Sequence, residues 1–262
     1  MPVDLNLAGH TVVVTGASKG IGLSIARAFA QQGCHLHLVA RSKIELERIS
    51  TELSQAYSVN VSISAIDLQS SEAVAHIIDA CPQTDILVNN AGDIPSGTLD
   101  EVDDARWKAS WDVKIFSSIS LTRAYFPGMK ARRSGVVINI IGIAGDVLDP
   151  TYIAGSVGNA ALTAFTKTVG GWSPQFGIRV VGVNPGPVQT ERLERIQKNV
   201  AARKFGDQSR WSEITETLPF GRAAQSDEIA FAALYLASDQ ARYISGAVLT
   251  VDGGMSAGRK IM

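Results

Sequence analysis

The chain has 262 residues, 45% of them apolar, and 24 basic side chains against 25 acidic ones for a net charge of −1. This balance, with no Lys/Arg run and no one-sided charged tail, speaks against a nucleic-acid face. No apolar stretch approaches the ~18–20 residues that cross a bilayer. The two cysteines, Cys34 and Cys81, make no disulfide framework and stand in no metal-binding spacing, so they read as small buried hydrophobes of a reducing, cytoplasmic compartment. The first ten residues, M-P-V-D-L-N-L-A-G-H, lack a basic start followed by an apolar run, and no leader is expected there.

In chain order, Val/Ile-rich runs at 11–15, 36–40, 61–66, 86–89, 136–141, 178–183 and 248–251 predict strands. Most are apolar on consecutive residues, the pattern of strands covered on both faces, as in a parallel sheet. Between them, 22–32, 43–57, 71–80, 102–130, 154–172 and 227–237 predict helices. Alternating βαβ units imply an α/β, doubly wound parallel sheet flanked by helices, with ligands at the carboxyl ends of the strands. No repeat or Pro/Gly linker divides residues 1–262, which read as a single domain. The charged stretch 189–217, following N-P-G-P, reads as a mobile helical lid beside the site or as a plain surface insertion.

The first strand runs into T-G-A-S-K-G-I-G, residues Thr15 to Gly22. Gly16, Gly20 and Gly22 let backbone turn tightly and approach a pyrophosphate, and the helix that follows offers free N–H groups and the positive end of its dipole. Ser18, Lys19 and Ile21 complete this cradle. The second strand ends at Ala40, followed by Arg41, where a site for NAD usually places a carboxylate against the ribose 2′-hydroxyl. A guanidinium there would bind a 2′-phosphate with charge-assisted hydrogen bonds. With Lys19 and Ser18 beside it, Arg41 predicts NADP(H) over NAD(H).

Together these residues resemble the short-chain dehydrogenase/reductase family. Its cofactor turn matches T-G-A-S-K-G-I-G, the adenine-contacting pair matches Asp67-Leu68, and its NNAG motif matches Asn89-Asn90-Ala91-Gly92. Asn184-Pro185-Gly186 with Val188 and Thr190 resembles the segment holding the nicotinamide side, and Val251-Asp252-Gly253-Gly254 the C-terminal V-D-G-G. The resemblance spans nearly the whole chain. It implies a Rossmann-type domain of seven parallel strands, a small-molecule substrate, and a homotetramer or homodimer built partly by the helices near 102–130 and 154–172.

The family's chemistry rests on a Tyr-x-x-x-Lys pair, a Ser thirteen residues before the Tyr, and an Asn on the preceding long helix. Here those four positions hold Gly155, Asn159, Gly142 and Lys114. Tyr152 is the nearby tyrosine, and without the lysine a phenol keeps a pKa of about 10, a poor relay near neutrality. Lys114 either returns a cation to the pocket or points to solvent, and Asn159 can still bond the ribose hydroxyls. Gly142 and Gly155 imply either a wider cavity over the nicotinamide or loss of function. Asp93, Asp146 and Asp149 fall on loops at the expected site mouth; His10, His35, His37 and His76 fall away from it. Trp107 and Trp111 read as core or subunit contact.

Three outcomes stay open on this reading. The first is an oxidoreductase moving hydride to a carbonyl, with the proton from water, Tyr152 or Lys114. The second is an NADP(H)-binding module without turnover, acting as a sensor or partner subunit. The third is non-redox chemistry on the same scaffold.

Overall fold

The computed structural model describes residues 4–258; the first three residues of the N-terminal stretch lie outside them. The elements alternate as β1 (Thr11–Thr15), α1 (Gly20–Gln31), β2 (His35–Ala40), α2 (Lys43–Tyr57), β3 (Val61–Ala65), α3 (Ala73–Ala80) and β4 (Ile86–Asn89). The second half runs α4 (Asp104–Trp111), α5 (Ser117–Arg132), β5 (Gly135–Ile140), α6 (Ile153–Trp172), β6 (Ile178–Pro185), α7 (Glu191–Phe205), α8 (Trp211–Glu216), α9 (Ser226–Ala237) and β7 (Val248–Val251). All seven strands are parallel, in the order β3-β2-β1-β4-β5-β6-β7.

The consecutive apolar residues of the central strands β1, β4, β5 and β6 are explained by a helical layer on either side. Val12 and Val14 point to one face, where Ile25 and Phe29 of α1, Leu46 and Ile49 of α2 and Ile229 of α9 cover them. Val13 points to the other, among Ile77 of α3 and Leu121, Tyr125 and Met129 of α5. This two-residue alternation is that of any strand; what the parallel sheet adds is that both faces are dry. The strand order reverses between β1 and β4, so a crevice opens beyond their carboxyl ends.

Two predicted elements differ. The single helix expected over 102–130 is interrupted: Asp112–Phe116 form a π-helical turn between α4 and α5, a feature that inserts one extra residue and often sits at functional positions. The expected helix start near 71 falls instead at Ala73, because the chain first closes a turn in which Ser70 N–H donates to Asp67 O (3.0 Å). The 189–217 stretch forms α7 and α8; Thr190 begins α7 by accepting the Leu193 N–H on its hydroxyl (3.3 Å), so the stretch is helical as expected.

No described helix is long and apolar enough to cross a membrane. Among the described residues no group of three or more His, Cys, Asp or Glu side chains could hold a metal ion. Cys34 and Cys81 are free and buried.

Candidate active site

The turn after β1 is held in shape by Asn90. Its side-chain amide donates to Thr15 O (2.9 Å) and Gly16 O (3.3 Å), while the backbone N–H groups of Asn90 and Ala91 both donate to Thr15 Oγ1 (3.0 Å each). This closeness is why glycine stands at 22: a Cβ there would lie 2.3 Å from Gly16 O and 2.4 Å from Asn90 Nδ2. Gly16 itself has φ +66, the left-handed region open to glycine. Helix α1 then starts at Gly20 with Lys19 as its cap; no side chain caps its free N–H groups, which suits an anion at that end.

The other residues predicted for the cofactor lie at the carboxyl ends of the strands, and Thr190 reaches this turn. Gly20 approaches Thr190, whose Cγ2 would lie 3.3 Å from a Cβ at 20. Gly186 packs on Asp252 and donates its N–H to Val251 O (2.9 Å), and Thr190 donates its hydroxyl to Val188 O (3.2 Å). Arg41 is exposed directly after β2, and Asp67 and Leu68 are half-buried beyond β3. Parallel register puts Ala40 opposite Ala65, so Arg41 and the Asp67 loop leave the same sheet edge. Lys19 does not stand free: its ammonium pairs with Glu191 of α7 at 3.3 Å, an exposed contact that is readily exchanged.

On the nicotinamide side Pro185 ends β6, and Asn184 organises the bend. Its Oδ1 accepts the Gly142 N–H (3.2 Å), and its Nδ2 donates to Asp146 (2.7 Å). Gly142 has φ +125, and a Cβ there would come 3.0 Å from Asn159 Nδ2. Asn159 is buried, and its Oδ1 has no hydrogen-bond partner among the described residues. A buried acceptor without a donor is costly, and ribose hydroxyls at this position would supply one. The residues present therefore fit a nicotinamide dinucleotide at both ends.

Lys114 lies in the π-helical turn and does not point to solvent. Its ammonium donates to Ile141 O, the carbonyl just before Gly142. Its stem crosses Gly92, where a Cβ would meet Lys114 Cδ at 2.9 Å. Burial, and then the Arg192 cation, push its pKa down to about 7.

Gly155 does not open a cavity. The ring of Tyr152 lies on it, so closely that a Cβ at 155 would sit 1.9 Å from Tyr152 Cε1. Tyr152 occupies the start of α6 with non-helical backbone (φ −137, ψ 41), and this lets its side chain fold back over the first turn. Burial pushes the phenol above its ordinary value; Arg192 pulls it back in part, and Asp93 pushes it up. Arg192, on α7, was not legible as a site residue. It donates to Gly92 O (3.2 Å), Ile94 O (2.8 Å) and the Tyr152 hydroxyl oxygen (3.1 Å), and pairs with Asp93 at 3.3 Å.

Comparison with known proteins gives the family of the chain. Residues 16–256 match the family model described as enoyl-(acyl carrier protein) reductase. The chain belongs to the short-chain dehydrogenase/reductase family. Galactitol 2-dehydrogenase (L-tagatose-forming) of Cereibacter sphaeroides is 33% identical over 250 residues, 95% of each protein. The 3-oxoacyl-[acyl-carrier-protein] reductase of Chlamydia trachomatis is 30% identical over 254 residues, 95% of this chain and 98% of its own length. L-sorbose reductase from Gluconobacter frateurii, solved with NADPH and L-sorbose, superposes with a TM-score of 0.90 at 31% identity, covering 98% of this chain and 100% of that one.

Within this dehydrogenase/reductase frame the loop aspartates divide. Asp93 faces Arg192 and, at 3.9 Å, Arg195; Asp146 serves Asn184. Asp149 accepts the Thr151 N–H (2.8 Å) and hydroxyl (2.7 Å), a turn former. Trp111 donates its indole N–H to Ala154 O (3.0 Å) and packs 6.1 Å from Trp107, so the pair braces α4 against the start of α6.

Proposed function

We propose that the chain is an NADP(H)-dependent oxidoreductase interconverting a carbonyl and an alcohol on a small molecule, with Tyr152 delivering the proton. The observation that carries this reading is the Tyr152 ring over Gly155, its Cζ 2.2 Å from where a Cβ at 155 would lie: a phenol stands at the root of the side chain that the family's tyrosine would project from 155. When bound, the cofactor supplies or accepts the hydride. Tyr152 O–H faces the developing alkoxide and gives it a proton in the reducing direction. A phenol is far more acidic than an alcohol, so a raised pKa does not prevent that transfer. In the oxidising direction the phenolate must form first, so that rate climbs with pH beyond the ordinary phenol range of about 10.

Coenzyme choice rests on Arg41. No carboxylate follows Ala40; the next residues are Arg41, Ser42 and Lys43, a cationic entry that suits a 2′-phosphate and leaves a bare 2′-hydroxyl without its usual partner. Dissociation constants for NADPH and NADH, repeated with Arg41→Asp, test this. Equal affinities in the unmodified protein would reject it.

A binding module without turnover is favoured by one observation: no hydroxyl stands at Gly142, whose N–H is already taken by Asn184. Fluorescence titration with NADPH followed by a panel of carbonyl substrates separates the two. Binding without any turnover removes the oxidoreductase reading. Assembly into two or four chains through α5 and α6 belongs to the same proposal, where Val157 and Trp172 are exposed apolar residues; light scattering on the purified protein tests it. The buried free thiols suit a reducing cytoplasm.

A further inference from the structure

We propose that Arg192 is the positioning cation of this site, brought to the Tyr152 phenol by the lid-like helix α7 rather than by the helix that carries the tyrosine. The inference rests on the reading of Tyr152 as proton donor. Neither the coenzyme turn nor the strand ends contribute Arg192; it lies 40 residues beyond Tyr152 and 100 beyond Gly92 in the chain.

The geometry is that of a held guanidinium. Two backbone carbonyls, Gly92 O and Ile94 O, accept from its two terminal nitrogens, and Asp93 lies 3.3 Å from one of them. The nitrogen that reaches Ile94 O also reaches the phenol oxygen. Arginine only donates, so the Tyr152 oxygen accepts and its hydrogen stays free for a substrate oxygen. When that proton leaves, the phenolate oxygen already faces a cation, and the bond becomes charge-assisted. The proton moves from Tyr152 to the substrate oxygen as hydride reaches the carbon, and solvent water later reprotonates the phenolate. The charged groups that act on the phenol are Arg192 and Asp93, which oppose each other; Arg195 of α7 lies 3.9 Å from Asp93, Lys114 on the π-helical turn feels Arg192, and Asp149 lies in the turn just before α6, where its backbone O accepts the Tyr152 N–H. Asn159, where the family has its lysine, brings no charge. Because α7 carries the guanidinium, the phenol is fully polarised only while α7 rests against residues 92–94.

The test is the ionisation of Tyr152 itself, followed by ultraviolet difference absorbance of each protein against its Tyr152→Phe counterpart. Arg192→Leu is expected to raise the midpoint by about one to two pH units and Asp93→Asn to lower it, with Arg192→Lys between Arg192→Leu and the unmodified protein. At neutral pH the Cζ carbon resonance of labelled Tyr152 should shift in Arg192→Leu, a readout that needs no titration. Carbonyl reduction should fall about ten- to a hundred-fold in kcat in Arg192→Leu at saturating NADPH. An unmoved midpoint and Cζ resonance would overturn the proposal. So would shifts of the same sign in Arg192→Leu and Asp93→Asn, because simple loosening of α7 would move both alike. If the unmodified protein binds NADPH yet reduces nothing, the enzymatic reading fails while the ionisation measurements still decide the role of Arg192.

Discussion

Tyr152 and Gly155 are steric partners: the aromatic ring of one rests on the bare Cα of the other, 1.9 Å from where a methyl group would begin. Gly155→Ala therefore has to expel the ring. The expected cost is about 1–3 kcal/mol, accompanied by loss of the Arg192 contact to the phenol. Tyr152→Ala removes the obstacle, so the double variant should be more stable than the sum of the two single changes. A double-mutant cycle in urea unfolding measures this; strict additivity would mean the ring does not lie there.

The same contact governs any attempt to rebuild the family's residues. Gly142→Ser with Gly155→Tyr and Asn159→Lys is expected to fold poorly, since two phenol rings compete for one space and residue 142 sits at φ +125. Adding Tyr152→Ala should recover stability. Activity that appears only in this four-residue variant, with none in the unmodified protein, would favour the binding module.

At the phosphate end Gly22→Ala is the sharp test. The added methyl would meet Gly16 O at 2.3 Å and Asn90 Nδ2 at 2.4 Å, and the first of these is backbone that cannot swing aside. NADPH affinity is expected to fall by more than about ten-fold as the turn opens. Isothermal titration would show it; unchanged affinity would separate the turn from cofactor binding.

Lys114, with its pKa pushed down to about 7, is a cation below that pH and an amine above it. If it faces the bound dinucleotide, NADPH affinity should weaken by roughly three- to ten-fold from one unit below that value to one unit above. Lys114→Met should flatten the dependence and bind more weakly at the acid end. Equal slopes in both proteins would place Lys114 outside the cofactor's field.

His37 gives a stability signature. It is wholly buried in β2 between Ser62 Oγ (2.7 Å) and Ser64 Oγ (2.9 Å), and burial, then the nearby His76, push its pKa down to about 4. The unfolded chain takes up a proton near its ordinary value of 6.5, whereas the folded chain resists until about 4. Stability is thus full above the higher value and falls as pH drops through the window, by about 3 kcal/mol at most. His37→Gln should remove most of that slope in urea unfolding followed across pH.

The parallel sheet was legible because most of the seven Val/Ile runs were apolar on consecutive residues, and nothing but a double covering explains Val12-Val13-Val14. The tight turn after β1 was legible because glycine spacing reports backbone approach directly. The break at Asp112–Phe116 was not, since one inserted residue leaves the composition of a helix unchanged. Gly155 could be read as a missing side chain, but its occupant could not: Tyr152 reaches it through the non-helical backbone at the helix entry. Arg192 looked like one more charge on a polar helix, and its partners lie on loops distant in sequence. Sequence patterns report periodic and local constraints well. They are silent on single long side chains that cross the molecule.

Asn90 fastens the loop beyond β4 to the turn beyond β1 through bonds of the protein to itself. Two walls of the binding crevice thus behave as one rigid piece. The coenzyme meets a surface whose ordering was completed when the protein folded, so its association should proceed without a slow rearrangement of those loops. What is left to adjust on arrival is the seating of α7.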